Sequence, residues 1–154
     1  MTSSWFTGVG QPITLDDIYH EIDNYVKTGG KVFVGSDSQL KSDSCIFATA
    51  ICLHGAGGGG KYFFKRFICD RSPYDVLKVR IMKEVQCSLD IALTILERDP
   101  GIDIELHIDV GTTEKSKTRD YVSFLKGWAT GAGFMCKVKP NAWASAAVAD
   151  KHTK

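Results

Sequence analysis

Four acidic residues stand where a folded protein does not ordinarily keep an unpaired charge. Asp37 and Asp109 each end a segment that is predicted to be a buried strand, Glu84 falls on the apolar arc of a predicted helix, and Asp150 follows an alanine-rich stretch. An unpaired buried charge costs several kcal/mol. Because the chain shows no matching basic cluster at these positions, the four acids together predict a shared divalent cation. Carboxylate oxygens are ligands that suit Mg²⁺ or Mn²⁺.

Simpler explanations apply to some of these acids more than to others. Glu84 can pair with Lys78 or Arg80 on the surface of its helix, and Asp150 lies close to the end of the sequence, where side chains are often solvated. Asp37 and Asp109 follow predicted strands directly. The carboxyl ends of strands are where α/β sheets collect ligands, so these two positions favour a site most strongly.

The hydrophobic pattern predicts the elements that would carry the acids. Thr14 and the acidic residues after it form a capping box, and Ser72 with Pro73 is typical of a helix start. Alternating and continuous apolar runs separated by short turns predict strands. In chain order the predicted elements are a helix at 15–27, strands at 31–36, 44–53 and 61–68, a helix at 72–97, a strand at 102–110, a helix at 118–130, a strand at 134–138 and a helix at 142–149. Three antiparallel strands followed by βαβα units predict an α/β fold with a five-stranded mixed sheet and helices on both faces.

Length and composition predict a single globular domain over residues 1–154. Of the 154 residues, 44% are hydrophobic and 24% are charged, which is ordinary for a folded protein. No apolar run is long enough to span a bilayer, and the first residues do not resemble a secretory signal. The five cysteines contain no C-x-x-C pair, which is typical of free thiols in a reducing cytoplasm. The net charge of +1 makes no case for nucleic-acid binding by itself.

The arrangement of the acids resembles the ribonuclease H-like superfamily. Asp37 lies within Gly-Ser-Asp-Ser-Gln on the first strand, Glu84 on the first long helix, Asp109 within His-Ile-Asp-Val-Gly on the fourth strand and Asp150 on the last helix. More narrowly, the chain resembles the YkuK-type branch of predicted ribonuclease H-related nucleases. The resemblance covers residues 31–154 and makes the helix at 15–27 an addition to the core. It implies that Asp37, Glu84, Asp109 and Asp150 are the catalytic residues and hold two Mg²⁺ or Mn²⁺ ions.

The activity that the resemblance implies is hydrolysis of phosphodiester bonds in RNA or DNA by a two-metal mechanism. Expected contacts to the nucleic acid are made by polar residues beside Asp37 and by cations that follow the fourth strand. These residues are Ser36, Ser38, Gln39, Lys115 and Lys117, with Arg119 in the same basic cluster. His107 is expected to be a hydrogen-bonded strand histidine, and His152 is a weaker candidate for proton transfer.

The sequence also allows two other functions. The chain lacks the basic handle with which classical ribonuclease H grips a hybrid duplex, so an inactive ribonuclease H fold used for nucleic-acid binding or assembly is an alternative. A phosphoesterase acting on small molecules would suit the near-zero net charge. That hypothesis is weaker, because the glycine run at 55–60 is followed by a predicted strand and not by the Lys-Ser/Thr and helix of a phosphate loop.

Overall fold

The computed structural model describes residues 4–55, 59–111 and 118–154. The elements of these residues are β1 (Trp5–Thr7), β2 (Pro12–Ile13), α1 (Leu15–Lys27), β3 (Lys31–Leu40), β4 (Ser44–His54), β5 (Lys61–Asp70), α2 (Leu77–Arg98), β6 (Ile104–His107), α3 (Val122–Gly131) and β7 (Met135–Lys137). A 3₁₀ turn at Arg119–Tyr121 precedes α3. A π-helical turn at Ala144–Val148 and a 3₁₀ turn at Ala149–His152 form what we call the C-terminal segment.

The strands form one mixed sheet in the order β2-β1-β5-β4-β3-β6-β7. Strands β3, β4 and β5 are an antiparallel meander, whereas β6 runs parallel to β3 and β7 runs parallel to β6. The predicted α/β class with a mixed sheet is therefore confirmed. The structure adds β1 and β2 at the edge beyond β5; with three and two residues, these strands are too short to give a recognisable alternation.

The middle of the sheet is buried on both sides. Strand β4 is buried at every position from Cys45 to Leu53, which explains why its sequence is a continuous apolar run instead of an alternating one. Asp37 of β3 lies opposite Ala48 of β4, and Ala48 lies opposite Arg66 of β5. Residues directly opposite each other in a sheet share a face, so this row fixes which side of the sheet each side chain occupies.

Helices cover both faces of the sheet, as predicted, but the two layers differ. On the helical face, α1, α2 and α3 pack large aliphatic side chains such as Ile22, Leu89 and Leu125 against the strands. On the other face, which we call the segment face, the C-terminal segment packs Ala144 and Ala149 against small residues of β4. No helix in the described ranges combines the length and the apolar character needed to cross a membrane.

The predicted bounds of the first helix are correct, whereas several other predicted boundaries were wrong. Helix α1 has its predicted bounds, because the Thr14 side chain accepts a hydrogen bond from the backbone N–H of Asp17. Helix α2 begins at Leu77 and not at 72, because the chain after Arg71 closes isolated turns: the N–H of Asp75 bonds to the carbonyl of Arg71 and that of Val76 to the carbonyl of Pro73. Strands β6 and β7 are shorter than the strands predicted at 102–110 and 134–138. Strand β3 continues past the predicted end at 36 to Leu40, so Asp37 lies within it. The last helix lies at Ala144–His152 and not at 142–149.

Candidate functional site

Asp37 lies near the carboxyl end of β3 and is only 7% exposed. It shares the segment face with Phe33, four residues earlier, which packs against the C-terminal segment. Burial raises the pKa of the Asp37 carboxyl to about 9, and the carboxylate of Glu84, a hydrogen bond to Asp150 and the carboxylate of Asp109 act in the same direction. The Asp37 carboxyl therefore holds a proton near neutral pH.

Asp150 receives that proton as a hydrogen bond. The hydrogen bond from Asp37 lowers the pKa of Asp150, and Lys154, whose Nζ lies 3.3 Å from Oδ2, lowers it as well. One partner is thus protonated and the other ionised, as expected for two carboxyls too close to carry full charge together. The C-terminal segment brings Asp150 to Asp37 across the segment face.

Glu84 reaches the same edge of the sheet from the helical face. It lies on α2 and is 7% exposed. Burial raises its pKa to about 8, although a hydrogen bond from the Ser38 hydroxyl and the charges of Arg80 and Lys139 oppose the rise. Ser38 is the residue after Asp37, and its side chain points to the opposite face. Strand β3 therefore carries the carboxyl of Asp37 on one face and, through Ser38, orients the carboxyl of Glu84 on the other.

Asp109 stands beside the end of β3 because β6 is its parallel neighbour. Gly35 pairs with His107, and Asp37 and Asp109 each lie two residues farther along their chains. Nζ of Lys139 lies 3.2 Å from Oδ1 of Asp109, yet no described residue donates a hydrogen bond to this buried oxygen. Asp109 and Glu84 line one narrow crevice that is too tight to admit a water molecule.

Gly35 and His107 hold the C-terminal segment against the sheet. A Cβ on Gly35 would lie 2.5 Å from the backbone nitrogen of Ser145 and 2.7 Å from the carbonyl carbon of Ala144, so only glycine allows this approach. Nδ1 of His107 accepts a hydrogen bond from the backbone N–H of Ala144 at 2.9 Å, which leaves Nε2 as the donor to Glu105 at 2.7 Å. Burial lowers the pKa of His107. His107 is therefore a neutral, fully bonded strand histidine, as expected.

Sequence reasoning did not find the role of Gly35. The available signal is a glycine within a central strand, two residues before an acid, which indicates close approach of another backbone.

The predicted substrate contacts are placed in different environments. Ser36 is 2% exposed, and its hydroxyl is shared with Thr49 at 2.8 Å and Ser88 at 2.7 Å, which disfavours a contact with substrate. The Ser38 hydroxyl donates its hydrogen bond to the carboxylate of Glu84. Gln39 is half-buried, and its Oε1 accepts no hydrogen bond from the described residues. Lys115 and Lys117 lie outside the described residues.

Two aromatic residues near the C-terminal segment are held by packing. The ring of His152 stacks on Phe64 with centroids 3.5 Å apart, and its Nε2 lies 3.0 Å from the hydroxyl of Tyr62. Trp143 packs against Phe33 with ring centroids 4.9 Å apart. His152 is therefore held against β5 by Phe64 and Tyr62, and Trp143 packs against the core of the segment face.

The donor chemistry of the four acids fits a hard divalent cation. Burial raises the pKa values of Asp37 and Glu84, so the fold disfavours their ionised forms in the absence of a cation. Oδ1 of Asp109 accepts no hydrogen bond from the described residues, although Nζ of Lys139 lies 3.2 Å from it. The geometry is less complete: within the described ranges, no three His, Cys, Asp or Glu side chains are already grouped closely enough to hold an ion. The candidate carboxyls are therefore present, but in this structure they do not form a complete coordination shell for a metal ion.

Comparisons with known proteins agree with this fold. Residues 14–154 match the family model described as ribonuclease H-like. The chain is 27% identical over 161 residues to the uncharacterized protein YkuK of Bacillus subtilis (strain 168), with 92% of each chain covered. No solved structure matches the chain. With a matched family model over most of its length and this relative, the chain belongs to the ribonuclease H-like family, in its YkuK-type branch.

Proposed function

We propose that this protein is a metal-dependent nuclease that hydrolyses phosphodiester bonds in RNA or DNA. The observation that carries the proposal is the convergence of the acids near the carboxyl end of β3: Asp37 lies beside Asp109 on the neighbouring strand, Glu84 shares a crevice with Asp109, and Asp150 interacts with Asp37. A binding surface for polyanions would not concentrate buried acids. A cluster that must take up protons in the absence of cations is suited to binding Mg²⁺ or Mn²⁺.

Asp37, Glu84, Asp109 and Asp150 would hold two ions in this proposal. When bound, such ions supply charge stabilisation and an activated water for in-line attack at phosphorus. Asp37 is the natural shared ligand, because it interacts with each of the other three acids. Its proton and that of Glu84 must leave before ions bind, so metal affinity should rise with pH.

The neighbouring residues would orient these ligands. The Ser38 hydroxyl holds the carboxylate of Glu84, and Lys139 holds that of Asp109. Gly35 and His107 fix the segment that carries Asp150. On the substrate side we keep Gln39, with its unpaired Oε1, and the cations Lys115 and Lys117. The four acids, not these residues, would carry the chemical step.

The alternative function is a catalytically inactive ribonuclease H fold that binds nucleic acid or assembles with a partner. The observation that favours it is that no three ligands are already grouped among the described residues. An inactive module has no need of Asp37 as an acid, so it should tolerate asparagine at this position without loss of its function.

The test is a cleavage assay with Mg²⁺, Mn²⁺ or EDTA on hybrid, single-stranded and branched substrates. Asp37→Asn preserves size and removes the charge, so activity should fall by at least about 10³-fold, because each 1.36 kcal/mol of lost transition-state stabilisation is about tenfold in rate. The matched control is Asp103→Asn, since Asp103 is exposed and lies before β6. Equal cleavage by Asp37→Asn and wild type would refute the site. Absence of cleavage with every substrate and both metals would favour the inactive module.

A further inference from the structure

The sheet row that contains Asp37 continues to an unpaired cation. Asp37, Ala48 and Arg66 lie directly opposite one another on β3, β4 and β5, on the segment face. Neighbouring strands are about 4.8 Å apart, so Arg66 begins about 10 Å from Asp37. Arg66 is exposed and makes no hydrogen bond or ion pair with any described residue. Its guanidinium is therefore available to an anion placed beside the carboxyl pair.

A second available cation, Lys151 of the C-terminal segment, lies next to β5. Lys151 is exposed, and its Nζ lies 5.8 Å from the centroid of the Tyr62 ring. His152 stacks on Phe64, which lies between Tyr62 and Arg66 on the same face of β5. Neither cation has a carboxylate partner among the described residues: Lys151 adjoins His152 in the chain, and Arg66 lies in the row of Asp37.

The next row of the segment face, beyond Asp37 toward the end of β3, carries a hydrogen-bond acceptor and an exposed apolar side chain. Gln39 lies opposite Ile46, and Ile46 lies opposite Ile68. The Oε1 atom of Gln39 is buried and has no donor among the described residues, while Ile68 is 59% exposed. A buried acceptor without a partner costs about 1–3 kcal/mol, and a ligand that supplies a donor recovers it.

We propose that Gln39, Arg66, Ile68 and Lys151 form a flanking patch that binds one nucleic-acid strand beside the phosphodiester held at the carboxylates. This inference rests on the proposed function. Arg66 would contact a phosphate about two to three nucleotides from the reacting one, at about 3.4 Å per nucleotide. Gln39 would accept a hydrogen bond from a sugar hydroxyl or a base. Charge complementarity selects the occupant, because the phosphates of a polyanion can pair with both Arg66 and Lys151, which have no carboxylate partner among the described residues.

Binding is tested on the full chain by fluorescence anisotropy with fluorescein-labelled 12-nucleotide RNA and DNA strands in EDTA, at several KCl concentrations. Each lost phosphate contact should reduce the slope of log Kd against log salt by about 0.7. Arg66→Ala and Lys151→Ala should each show this reduction and weaken binding several-fold, and Arg66→Lys should restore the slope. The matched control is Lys27→Ala, because Lys27 is exposed in the last turn of α1 on the helical face.

The outcomes separate this proposal from the nuclease proposal. A slope that depends on Arg66 and Lys151 in a protein that cleaves nothing would support the patch and refute the nuclease. Cleavage by wild type together with unchanged slopes in both variants would refute the patch alone. The patch is also refuted if Lys27→Ala changes the slope as much as Arg66→Ala does, or if wild type binds neither strand. Gln39→Leu should weaken binding without changing the slope; an altered slope would contradict the role given to Gln39.

Discussion

The two faces of the sheet are built on different principles. The helical face buries large aliphatic side chains from three α-helices, among them Ile22, Leu89 and Leu125, in one continuous core. The segment face is covered by two short helical turns that meet the sheet through Ala48, Ala50 and other small residues. The first layer is thick and apolar. The second is thin, and its contacts are close backbone approaches, single hydrogen bonds and a few ring contacts, such as those of Trp143 with Phe33 and His152 with Phe64.

This difference separates stability from function. Apolar area buried on the helical face supplies most of the hydrophobic stabilisation, which grows with the area removed from water. The segment face contributes less area, but it places Asp150 against Asp37. Damage to the helical face away from Glu84 should therefore lower the free energy of unfolding and leave the site intact. Damage to the segment face should disturb the site with a smaller loss of stability.

The largest change in stability is expected from the helical face. Leu125→Ala removes a fully buried side chain of α3, and such truncations cost about 2–5 kcal/mol. For a domain of this size, the melting temperature should fall by about 2–4 °C per kcal/mol. Cleavage per folded molecule should stay within about threefold of wild type. Calorimetry and the cleavage assay check this, and a parallel loss of activity in fully folded protein would contradict the separation of the two faces.

A smaller loss of stability with a larger loss of activity is expected from the segment face. In Gly35→Ala the new methyl would collide with backbone atoms of the C-terminal segment; overpacking of this kind costs about 1–3 kcal/mol. Because a misplacement of about 1 Å can cost about 10²-fold in rate, the shift of Asp150 should reduce cleavage by tenfold or more.

The matched control for Gly35→Ala is Gly127→Ala. A Cβ on Gly127, in α3, would meet nothing within 4 Å, so alanine should stabilise the helix by about 0.5–1 kcal/mol and leave cleavage unchanged. Thermal melts and initial rates of the two variants make the comparison. Equal rates for Gly35→Ala and wild type would show that the close approach at Gly35 does not position Asp150.

The same contrast explains what sequence could predict. The helical face follows local rules: Thr14 caps α1, and apolar periodicity marks α1 and α2. The acids at the ends of β3 and β6 were also recognisable, since an acid directly after a buried strand is unusual. The structure brings Asp37 into contact with Asp150 and beside Glu84 and Asp109, while their catalytic and metal-binding roles stay predictions.

What sequence could not predict depends on contacts between distant residues. The need for glycine at position 35 comes from Ala144 and Ser145, more than a hundred residues later. The tautomer of His107 depends on the backbone N–H of Ala144, which donates to Nδ1. Ser36 looked like a substrate contact from its place beside Asp37, but Thr49 and Ser88 bury its hydroxyl. Each of these contacts is made by the segment face or by the interior, where local propensity carries no signal.

The smallest effect we predict is a pH dependence that belongs to the acid cluster and not to either packing layer. The pKa of Asp37 is raised to about 9 and that of Glu84 to about 8, chiefly by burial, whereas unfolded carboxyls titrate near about 4. Between these limits the folded state binds more protons than the unfolded state, so stability falls as pH rises. The useful window is from about pH 7 to about pH 8, because unfolded histidines are then largely neutral and unfolded thiols largely protonated.

Without divalent ions, the free energy of unfolding should fall across this window by roughly 1 kcal/mol per pH unit for each carboxyl that stays protonated in the fold. Asp37→Asn should reduce the slope, since asparagine does not titrate. Millimolar Mg²⁺ or Mn²⁺ should also reduce it, because ions bind the ionised carboxylates of the folded state. Leu125→Ala should lower the whole curve and keep its slope. Urea melts at the two pH values measure these slopes; a stability that stays level or rises with pH in EDTA, or an Asp37→Asn slope equal to that of wild type, would show that buried Asp37 is not the titrating group.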